Sequence, residues 1–426
     1  MKEISMFKII KSLSDILDLL SKSVVSHHKK VAYIAYNIAK EMNLNTEDKR
    51  NLLTASLIHD IGVFYLDIDL NDLSFDDKSN LHASVGYFLI RDNDILKEVA
   101  SIIRYHHLNW EQFDNTVPLT ANIVYLADRI AVLSEKLDIY NERDKINQII
   151  SENIGINYCP KAVLAFKELL KKESFCLDIR SQRSIEQELD KFMFDLNKNI
   201  NIDSLKDISK LISYIIDFRS PYTATHSVGI AAVSKELFKF MGYSVEKQLI
   251  METAAYLHDI GKLVVPLKVL NKPGKLNANE WRLMRSHTYY TYQVLQVLDE
   301  IPFLKEWAAY HHEKLDGQGY PFHLHANSLS MGARVMAVAD IFTAITEDRP
   351  YRKGMKKEQV IKIFKDLINK GKIDKNVVSV LFDNFEELNN IRENNQLKAG
   401  RNYQEFERNV NAKINSTRSN SDDFAI

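Results

Sequence analysis

Apolar residues recur along this chain mainly at steps of three and four, and few segments alternate between apolar and polar positions. Such steps place side chains on one face of an α-helix. Two stripes of this kind occupy comparable places in the two halves of the chain and are formed by Val31, Ile34, Ile38 and Met42 and by Ile230, Val233, Leu237 and Met241. The pattern predicts an all-α protein built from helical bundles.

Several helices are predicted to end in the same way in both halves. The segments LLTASLIHD and METAAYLHD are each followed by Ile-Gly, and a glycine is typical of a helix end. Two later segments, ANIVYLADRIAVL and ARVMAVADIFTAI, are also alike. These correspondences predict two bundles in tandem, one in each half of the chain.

The predicted domain limits follow from changes in these patterns. We expect an N-terminal domain with a helical connector over residues 1–200 and a C-terminal domain over residues 201–392. Beyond residue 392 the chain becomes polar and loses its apolar periodicity. Residues 393–426 are therefore predicted to form a disordered tail.

The composition favours a cytoplasmic protein with two domains of ordinary size. Of the 426 residues 45% are hydrophobic, which is enough for two cores, and only two are cysteines, which indicates a reducing compartment. No stretch reaches 18 uninterrupted apolar residues, so no membrane span is predicted. A net charge of −1 provides no basic field for a nucleic-acid polymer. A small phosphorylated molecule bound by a few local cations stays open as a partner.

Ten of the 13 histidines form two sets of five, one in each half of the chain. The first interval, 32 residues, and the third, 24 residues, are the same in both sets. With their aspartates the sets are His27, His59, Asp60, His82, His106, His107 and Asp128, and His226, His258, Asp259, His287, His311, His312 and Asp340. Histidines and carboxylates in this proportion suit divalent transition metals, and a close pair of such metals cleaves phosphodiesters. The sequence therefore predicts a duplicated metal-dependent hydrolase.

Longer motifs in the C-terminal half place these residues in a family. The motifs are THS at 225–227, LHDIGK at 257–262, KPGKL at 272–276, His287, HHEKLDGQGYP at 311–321 and DRPYRKG at 348–354. With these motifs, residues 205–390 resemble the HD-GYP cyclic-dinucleotide phosphodiesterases, and the N-terminal half is similar to the broader HD superfamily. The resemblance implies two tandem HD-type bundles. It also implies a phosphodiesterase of bacterial second-messenger signalling that opens cyclic di-GMP to a linear dinucleotide and onward to mononucleotides.

We assign the C-terminal set to two divalent cations that share Asp259. The first would be bound by His226, His258, Asp259 and Asp340, and the second by Asp259, His287, His311 and His312. The family's metals are commonly iron or manganese, and donors of nitrogen and oxygen without thiolate are consistent with both. Many members supply a third metal through a glutamate where this chain has Tyr222, so two metals are expected. Gly229 replaces the family's usual arginine.

The resemblance also implies residues that contact the substrate. Lys262, one turn after the His-Asp pair, would contact the scissile phosphate, and with Asp259 it is predicted to be catalytic. The other expected contacts are Gly319, Tyr320 and Pro321 of the GYP loop (Gly317–Pro321) and Arg349 and Arg352. The surface formed by the GYP loop is also expected to contact a second copy of the chain or a signalling protein.

Two alternatives to cyclic di-GMP hydrolysis stay open at this point. The mixed cyclic GMP–AMP molecule is the runner-up substrate, because no sequence feature separates guanine from adenine recognition. A non-catalytic module that binds a nucleotide or protein partner is the alternative from a different class. The presence of Lys262 and of a complete ligand set argues against the non-catalytic module.

The N-terminal set keeps the ligand positions but not their surroundings. Val63 stands where the C-terminal half has Lys262. The segment between the doublet and the final aspartate is 21 residues instead of 28, and the GYP loop is missing. We expect a divergent domain that could hold further metals, with nucleotidase activity as an open hypothesis. His28 is expected on the surface, and His323 and His325 in a solvated loop.

Overall fold

The computed structural model describes residues 4–20, 26–66, 81–219, 224–348 and 353–422. Tyr222, Arg349 and Arg352 lie outside these ranges, so the roles given to them stay predictions. The all-α fold is confirmed: the described strands are only β1 (Ile4–Ser5) and β2 (Asn199–Ile200), which pair with each other. The chain divides into two compact units, formed mainly by residues 5–199 and 200–408.

Helix α2 occupies the core of the first unit. It packs against α3 and α7, and its stripe residues Val31, Ile34 and Ile38 are fully buried. The helices of this unit are α1 (Met6–Leu20), α2 (His27–Glu41), α3 (Thr46–Ile58), α4 (Val63–Leu66), α5 (Leu81–Ile90), α6 (Lys97–Tyr105), α7 (Leu119–Lys136), α8 (Arg143–Ser151), α9 (Pro160–Leu170), α10 (Glu173–Ile179) and α11 (Gln182–Asp195).

Helix α13 has the equivalent place in the second unit. It packs against α14 and α18, and Ile230, Val233 and Leu237 are fully buried. The helices here are α12 (Ile202–Asp217), α13 (His226–Phe240), α14 (Val245–Leu257), α15 (Leu267–Leu270), α16 (Ala278–Leu295), α17 (Leu304–Ala309), α18 (Met331–Thr346), α19 (Lys357–Asn369), α20 (Lys375–Asp383) and α21 (Phe385–Asp422), which belongs to this unit as far as Arg408. Short 3₁₀ segments lie at Trp110–Gln112, Ile260–Val264, Gln296–Leu298 and Ala326–Ser328.

Local capping explains where the helices that carry the site begin. The side chain of Ser244 accepts a hydrogen bond from the amide of Lys247 at the start of α14. At the start of α16, Asn277 and Glu280 form a capping box, in which each side chain bonds to the other's backbone amide. Both caps satisfy amides that have no partner within the helix. No helix in the described ranges is long and apolar enough to cross a membrane.

The prediction of a disordered tail from residue 393 is wrong for the described part, because α21 continues to Asp422. One face of this helix is buried through residues spaced by three and four: Leu388, Arg392, Gln396, Ala399 and Phe406. The ring of Phe406 lies 5.2 Å from that of Phe218. Because the buried face includes an arginine and a glutamine, apolar periodicity alone does not reveal it.

Candidate functional site

The His-Asp pair of the C-terminal half lies where α14 ends and the chain turns into the 3₁₀ segment Ile260–Val264. Gly261 is required in this turn, since a Cβ atom there would lie 1.9 Å from the carbonyl oxygen of His287. The hydroxyl of Thr291 donates to the carbonyl of His258 (2.9 Å) and accepts from the amide of Gly261 (3.1 Å). The turn is therefore held against α16, the helix that carries His287.

Asp259 lies among the predicted ligands and is 2% exposed. Its Oδ2 atom is 3.1 Å from Nε2 of His258. Its Oδ1 atom is 3.3 Å from Nε2 of His287 and 3.9 Å from Nε2 of His311. The two carboxylate oxygens thus face different imidazoles, as a carboxylate shared by two cations must.

Asp340 contacts the remaining predicted ligands. Its Oδ1 atom is 3.4 Å from Nε2 of His226, and its Oδ2 atom is 3.6 Å from Nδ1 of His312. Among the described residues of this half, two groups of side chains have ligand atoms within 4.8 Å of one another, namely His226, His258 and Asp259, and His287, His311 and His312. The structure therefore brings all seven predicted C-terminal residues into one cluster.

Three of these imidazoles are oriented in the same way, with Nδ1 close to the backbone carbonyl three residues earlier. The pairs are His258 with Ala255 (2.7 Å), His287 with Met284 (2.6 Å) and His311 with Ala308 (2.7 Å). An Nδ1–H group that donates to a carbonyl leaves Nε2 without a proton. Nε2 is then the atom available to a metal, and it is the atom that faces Asp259.

Burial and neighbouring charges keep His287 and Asp259 in the forms that bind metals. Burial lowers the pKa of His287 to about 3, so its imidazole is neutral. Burial acts to raise the pKa of Asp259, but His258 and Lys262 bring it well below its ordinary value. Neutral imidazoles and ionised carboxylates are the states in which these side chains coordinate a cation.

The distances within the cluster fit a shared metal centre. Metal–ligand bonds of about 2.0–2.2 Å place neighbouring ligand atoms of one cation roughly 3.0–3.5 Å apart. The separations of Asp259 from His258 (3.1 Å) and from His287 (3.3 Å) fall in this range. Oδ1 of Asp259 is also buried without a hydrogen-bond partner, and a cation would satisfy it.

Lys262 and Tyr320 border the cluster. Nζ of Lys262 lies 2.5 Å from Oδ2 of Asp259. Burial acts to lower the pKa of this lysine, but Asp259 raises it, so the ammonium stays charged. The ring of Tyr320 lies 4.9 Å from that of His312, and the guanidinium carbon of Arg285 is 4.4 Å from its centre. An ammonium, an aromatic ring and a guanidinium are suited to phosphate and purine groups.

Glu313 shapes the GYP loop. Its carboxylate accepts hydrogen bonds from the backbone amides of Phe322 (2.7 Å) and Leu324 (3.0 Å). Both residues follow Pro321, the last residue of the loop. Gly319 packs directly on the same residue, because a Cβ atom at Gly319 would lie 2.4 Å from Cα of Glu313. The loop is therefore anchored beside the His-His doublet. As predicted, His323 and His325 are exposed.

Sequence reasoning missed two buried residues that support the turn and the first histidine. Arg219 is 5% exposed and donates at 2.8–3.2 Å to the carbonyl oxygens of Lys262, Leu263 and Val265. Asp217 accepts from both the amide and the hydroxyl of Ser227 at 3.0 Å, and burial raises its pKa to about 7. Neither residue stands in a recognisable motif, so no signal in the single sequence identifies them.

Glu347 is a third missed residue, and here a signal existed. Its Oε2 atom lies 3.1 Å from Nδ1 of His226. Glu347 follows Asp340 by seven residues, and Glu135 follows Asp128 by the same interval. Extending the comparison of the two halves beyond the final aspartates would have found this position.

The seven predicted N-terminal residues also form one cluster. Oδ2 of Asp60 lies 3.2 Å from Nε2 of His59, and Oδ1 lies 3.4 Å from Nε2 of His82. The other short separations are His82 to His106 (3.3 Å), His82 to His107 (3.1 Å) and His27 to Asp128 (3.1 Å). The two halves therefore place the same donors in the same order around a central aspartate.

The surroundings of the N-terminal cluster differ from the C-terminal ones. Val63, at the position of Lys262, is 2% exposed and supplies no charge. The prediction that His28 lies on the surface is wrong: it is fully buried, with Nδ1 2.7 Å from Oδ1 of Asp18. The physical reason is that α1 packs against α2 and covers this side chain. Nε2 of His28 lies 3.4 Å from Oδ2 of Asp60.

Family comparisons match both clusters. Two HD-domain models match the chain, one over residues 24–133 and the other over residues 210–377. Each match contains one complete set of predicted ligands. HD domains are metal-dependent, so each half of the chain carries the type of domain to which such ligands belong.

Proteins of similar sequence are phosphodiesterases of cyclic dinucleotides. The 3'3'-cGAMP-specific phosphodiesterase 1 of Vibrio cholerae is 30% identical over 390 residues, which cover 87% of this chain and 90% of that protein. A cyclic di-GMP phosphodiesterase of Pseudomonas aeruginosa is 37% identical over 172 residues, which cover 39% of this chain and 41% of that protein.

A solved structure shows the same fold. The crystal structure of a cyclic GMP-AMP-specific phosphodiesterase of Vibrio cholerae, V-cGAP3, matches with a TM-score of 0.61 and 23% identity. The match covers 90% of this chain and 98% of that chain. The common architecture therefore extends over nearly the whole of both proteins.

Proposed function

Because the chain belongs to the HD-GYP family of cyclic-dinucleotide phosphodiesterases and carries a second HD domain, we propose that its C-terminal centre preferentially opens 3'3'-cGAMP. Water adds across one P–O bond of the ring, which leaves a phosphate monoester on one nucleotide and a hydroxyl on the other. The sequence analysis placed cyclic di-GMP first, and that dinucleotide is the competing substrate.

The length of the match to a cGAMP-specific relative carries this proposal. That relative aligns over 90% of its own length and 87% of this chain, and so spans both HD domains. The cyclic di-GMP phosphodiesterase of Pseudomonas aeruginosa aligns over 39% of the chain. An alignment that spans both domains is a better indicator of the substrate than one limited to part of the chain. The cGAMP-specific relative is therefore favoured as the guide.

The geometry supports two cations in the C-terminal centre, with iron or manganese favoured by the nitrogen and oxygen donors. Asp259, whose two oxygen atoms face different imidazoles, would serve both cations. His226, His258 and Asp340 complete the first group, and His287, His311 and His312 complete the second. When bound, the pair of cations would activate water for attack on phosphorus and stabilise the charge that develops on the phosphate.

Lys262 is proposed to bind the scissile phosphate. Its ammonium lies 2.5 Å from Asp259 and its side chain is 18% exposed, so it borders the metal ligands and the solvent at once. A charged donor there neutralises a phosphate oxygen and favours departure of the leaving oxygen. Tyr320 and Arg285 are proposed to hold the nucleotide, since the ring offers a stacking face and the guanidinium a phosphate contact.

The N-terminal cluster is proposed to hold metal as well. Asp60 has the same relation to His59 (3.2 Å) and His82 (3.4 Å) that Asp259 has to His258 and His287. Val63 provides no ammonium, and the segment that would carry a GYP loop is shorter. Ring opening is therefore assigned to the C-terminal centre alone.

The test of substrate preference measures kcat/KM for 3'3'-cGAMP and for cyclic di-GMP with the iron- and manganese-loaded full chain. We expect cGAMP to be favoured by about tenfold or more, because a single base distinguishes the substrates and hydrogen-bond readout discriminates strongly. Preference for cyclic di-GMP would refute the proposed substrate.

Paired variants locate the activity. H258A/D259A should abolish ring opening, whereas H59A/D60A, the matched change in the N-terminal copy, should retain it. If H59A/D60A abolished ring opening while the C-terminal variant retained it, the assignment of the reaction to the C-terminal centre would be wrong. Linear dinucleotide and mononucleotide products are separated by chromatography.

A further inference from the structure

The N-terminal cluster contains an eighth side chain that has no equivalent in the C-terminal one. His28 follows the predicted ligand His27, and the same position in the C-terminal half is Ser227. The hydroxyl of Ser227 donates to Asp217 at 3.0 Å. His28 instead places Nε2 3.4 Å from Oδ2 of Asp60, which is a separation that fits two ligands of one cation.

Asp18 fixes the orientation of the His28 imidazole. Its Oδ1 atom lies 2.7 Å from Nδ1 and accepts the backbone amide of His28 at 3.3 Å. A carboxylate that accepts the Nδ1 proton leaves the lone pair of Nε2 free, and this arrangement supports metal-bound histidines. Nε2 of His28 is buried and has no hydrogen-bond partner, although it points toward Asp60.

Three imidazoles meet at this side of the N-terminal cluster. The ring of His28 lies 5.4 Å from that of His27 and 5.1 Å from that of His59. The ligand atoms of His28, His59 and Asp60 all lie within 4.8 Å of one another. The matching side of the C-terminal cluster brings together two imidazoles, those of His226 and His258, at 6.0 Å.

We propose that His28 is a further ligand of the first cation in the N-terminal centre, an inference that rests on the proposal that this centre binds metal. It would join His27, His59, Asp60 and Asp128. His28 does not replace Lys262 as a phosphate contact, because its side chain is fully buried and anchored through Nδ1. The extra imidazole would add one donor to the N-terminal cation that the C-terminal centre does not have. The N-terminal cation is accordingly held more tightly and is less open to substrate.

The test uses the full chain with H258A/D259A, so that manganese binding reports the N-terminal centre. Free Mn²⁺ is followed by its electron paramagnetic resonance signal, and pulsed measurements count the coordinated imidazole nitrogens. His28→Ala is expected to weaken Mn²⁺ binding by about 10- to 100-fold and to remove one nitrogen. Asp18→Asn keeps the imidazole but removes its orienting charge, and it should weaken Mn²⁺ binding by about tenfold.

Ser227→Ala in a chain carrying H59A/D60A is the matched control. The backbone amide at this position still donates to Asp217, so Mn²⁺ binding at the C-terminal centre should stay unchanged. If His28→Ala bound Mn²⁺ as tightly as before or more tightly, with the same number of coordinated nitrogens, the inference would be overturned. His28 would then be a protonated imidazole that forms an ion pair with Asp60. Failure of the H258A/D259A chain to bind any Mn²⁺ would overturn the N-terminal metal centre itself. If His28→Ala does not fold, as judged by circular dichroism, the result with Asp18→Asn decides.

Discussion

Oε2 of Glu347 lies 3.1 Å from Nδ1 of His226, so a buried carboxylate orients the first imidazole of the C-terminal cluster. Burial acts to lower the pKa of His226, but Glu347 and Asp340 raise it to about 10. Gln396 of α21 donates to the same oxygen of Glu347 at 3.1 Å. The last helix therefore takes part in positioning the first predicted metal ligand.

Glu347→Gln should reduce both metal content and ring-opening activity by about 10- to 100-fold, because an amide orients the imidazole without making it more basic. Metal analysis and turnover of the cyclic dinucleotide are measured together. Glu135→Gln is the matched control: Glu135 pairs with Lys30 at 3.4 Å, and its substitution should change neither quantity. Equal effects of the two substitutions would contradict the role given to Glu347.

Lys262→Met should lower kcat by about 10²- to 10³-fold while the metals stay bound, since it removes a charge that acts on the phosphate. Methionine keeps most of the apolar stem, so packing around the turn is retained. The measurement combines steady-state kinetics with metal analysis. If the metals were lost as well, Lys262 would have to be regarded as a support of the metal centre.

Gly261→Ala should destabilise the C-terminal half and empty its metal centre, because the added Cβ would lie 1.9 Å from the carbonyl oxygen of His287. We expect the free energy of unfolding to fall by an amount on the order of 3–5 kcal/mol, because the added carbon overpacks against backbone that cannot move. Urea unfolding checks this prediction. Gly400→Ala is the control, since its Cβ meets only Thr225 Cγ2 at 3.7 Å and alanine favours the helix by about 0.5–1 kcal/mol.

The buried carboxyl group of Asp217 should make the stability of the metal-free protein depend on pH. Burial raises its pKa from an ordinary value of 3.8 to about 7. Between these two pKa values the folded state binds more protons than the unfolded state. The stabilisation that Asp217 contributes is therefore complete below the unfolded-state pKa and is lost as the pH rises through the folded-state pKa. Asp217→Asn removes this titration and can keep both hydrogen bonds with Ser227. Its stability relative to wild type should increase between pH 4 and pH 7.5.

Urea unfolding of metal-free wild type and Asp217→Asn at both pH values gives the comparison. A difference in the free energy of unfolding that is the same at pH 4 and pH 7.5 would show that Asp217 titrates normally.

The cluster could be predicted from sequence because its spacing is repeated. The intervals that separate His27 from His59 and His226 from His258 are equal, and this equality indicated which residues would come together from different helices. Spacing carried no information about what covers each helix. His28 was assigned to the surface because its neighbours in sequence do not reveal that Asp18 approaches from α1.

The last helix escaped prediction for a related reason. Its buried face contains Arg392 and Gln396, whose side chains bond to each other, and Gln396 reaches Glu347. Polar residues that are buried in such a network look like a solvated segment when only hydropathy is considered. The substrate contacts proposed at Arg349 and Arg352 fall outside the described residues and keep the status of predictions.

The single hydroxyl of Thr291 has a consequence for how the centre is assembled. It joins the carbonyl of His258 to the amide of Gly261, and it lies one turn along α16 from His287. A displacement of that helix would consequently disturb donors on both sides of Asp259 together. The conformational entropy of arranging the donors is lost once, when the chain folds, so each catalytic cycle starts from a preorganised framework.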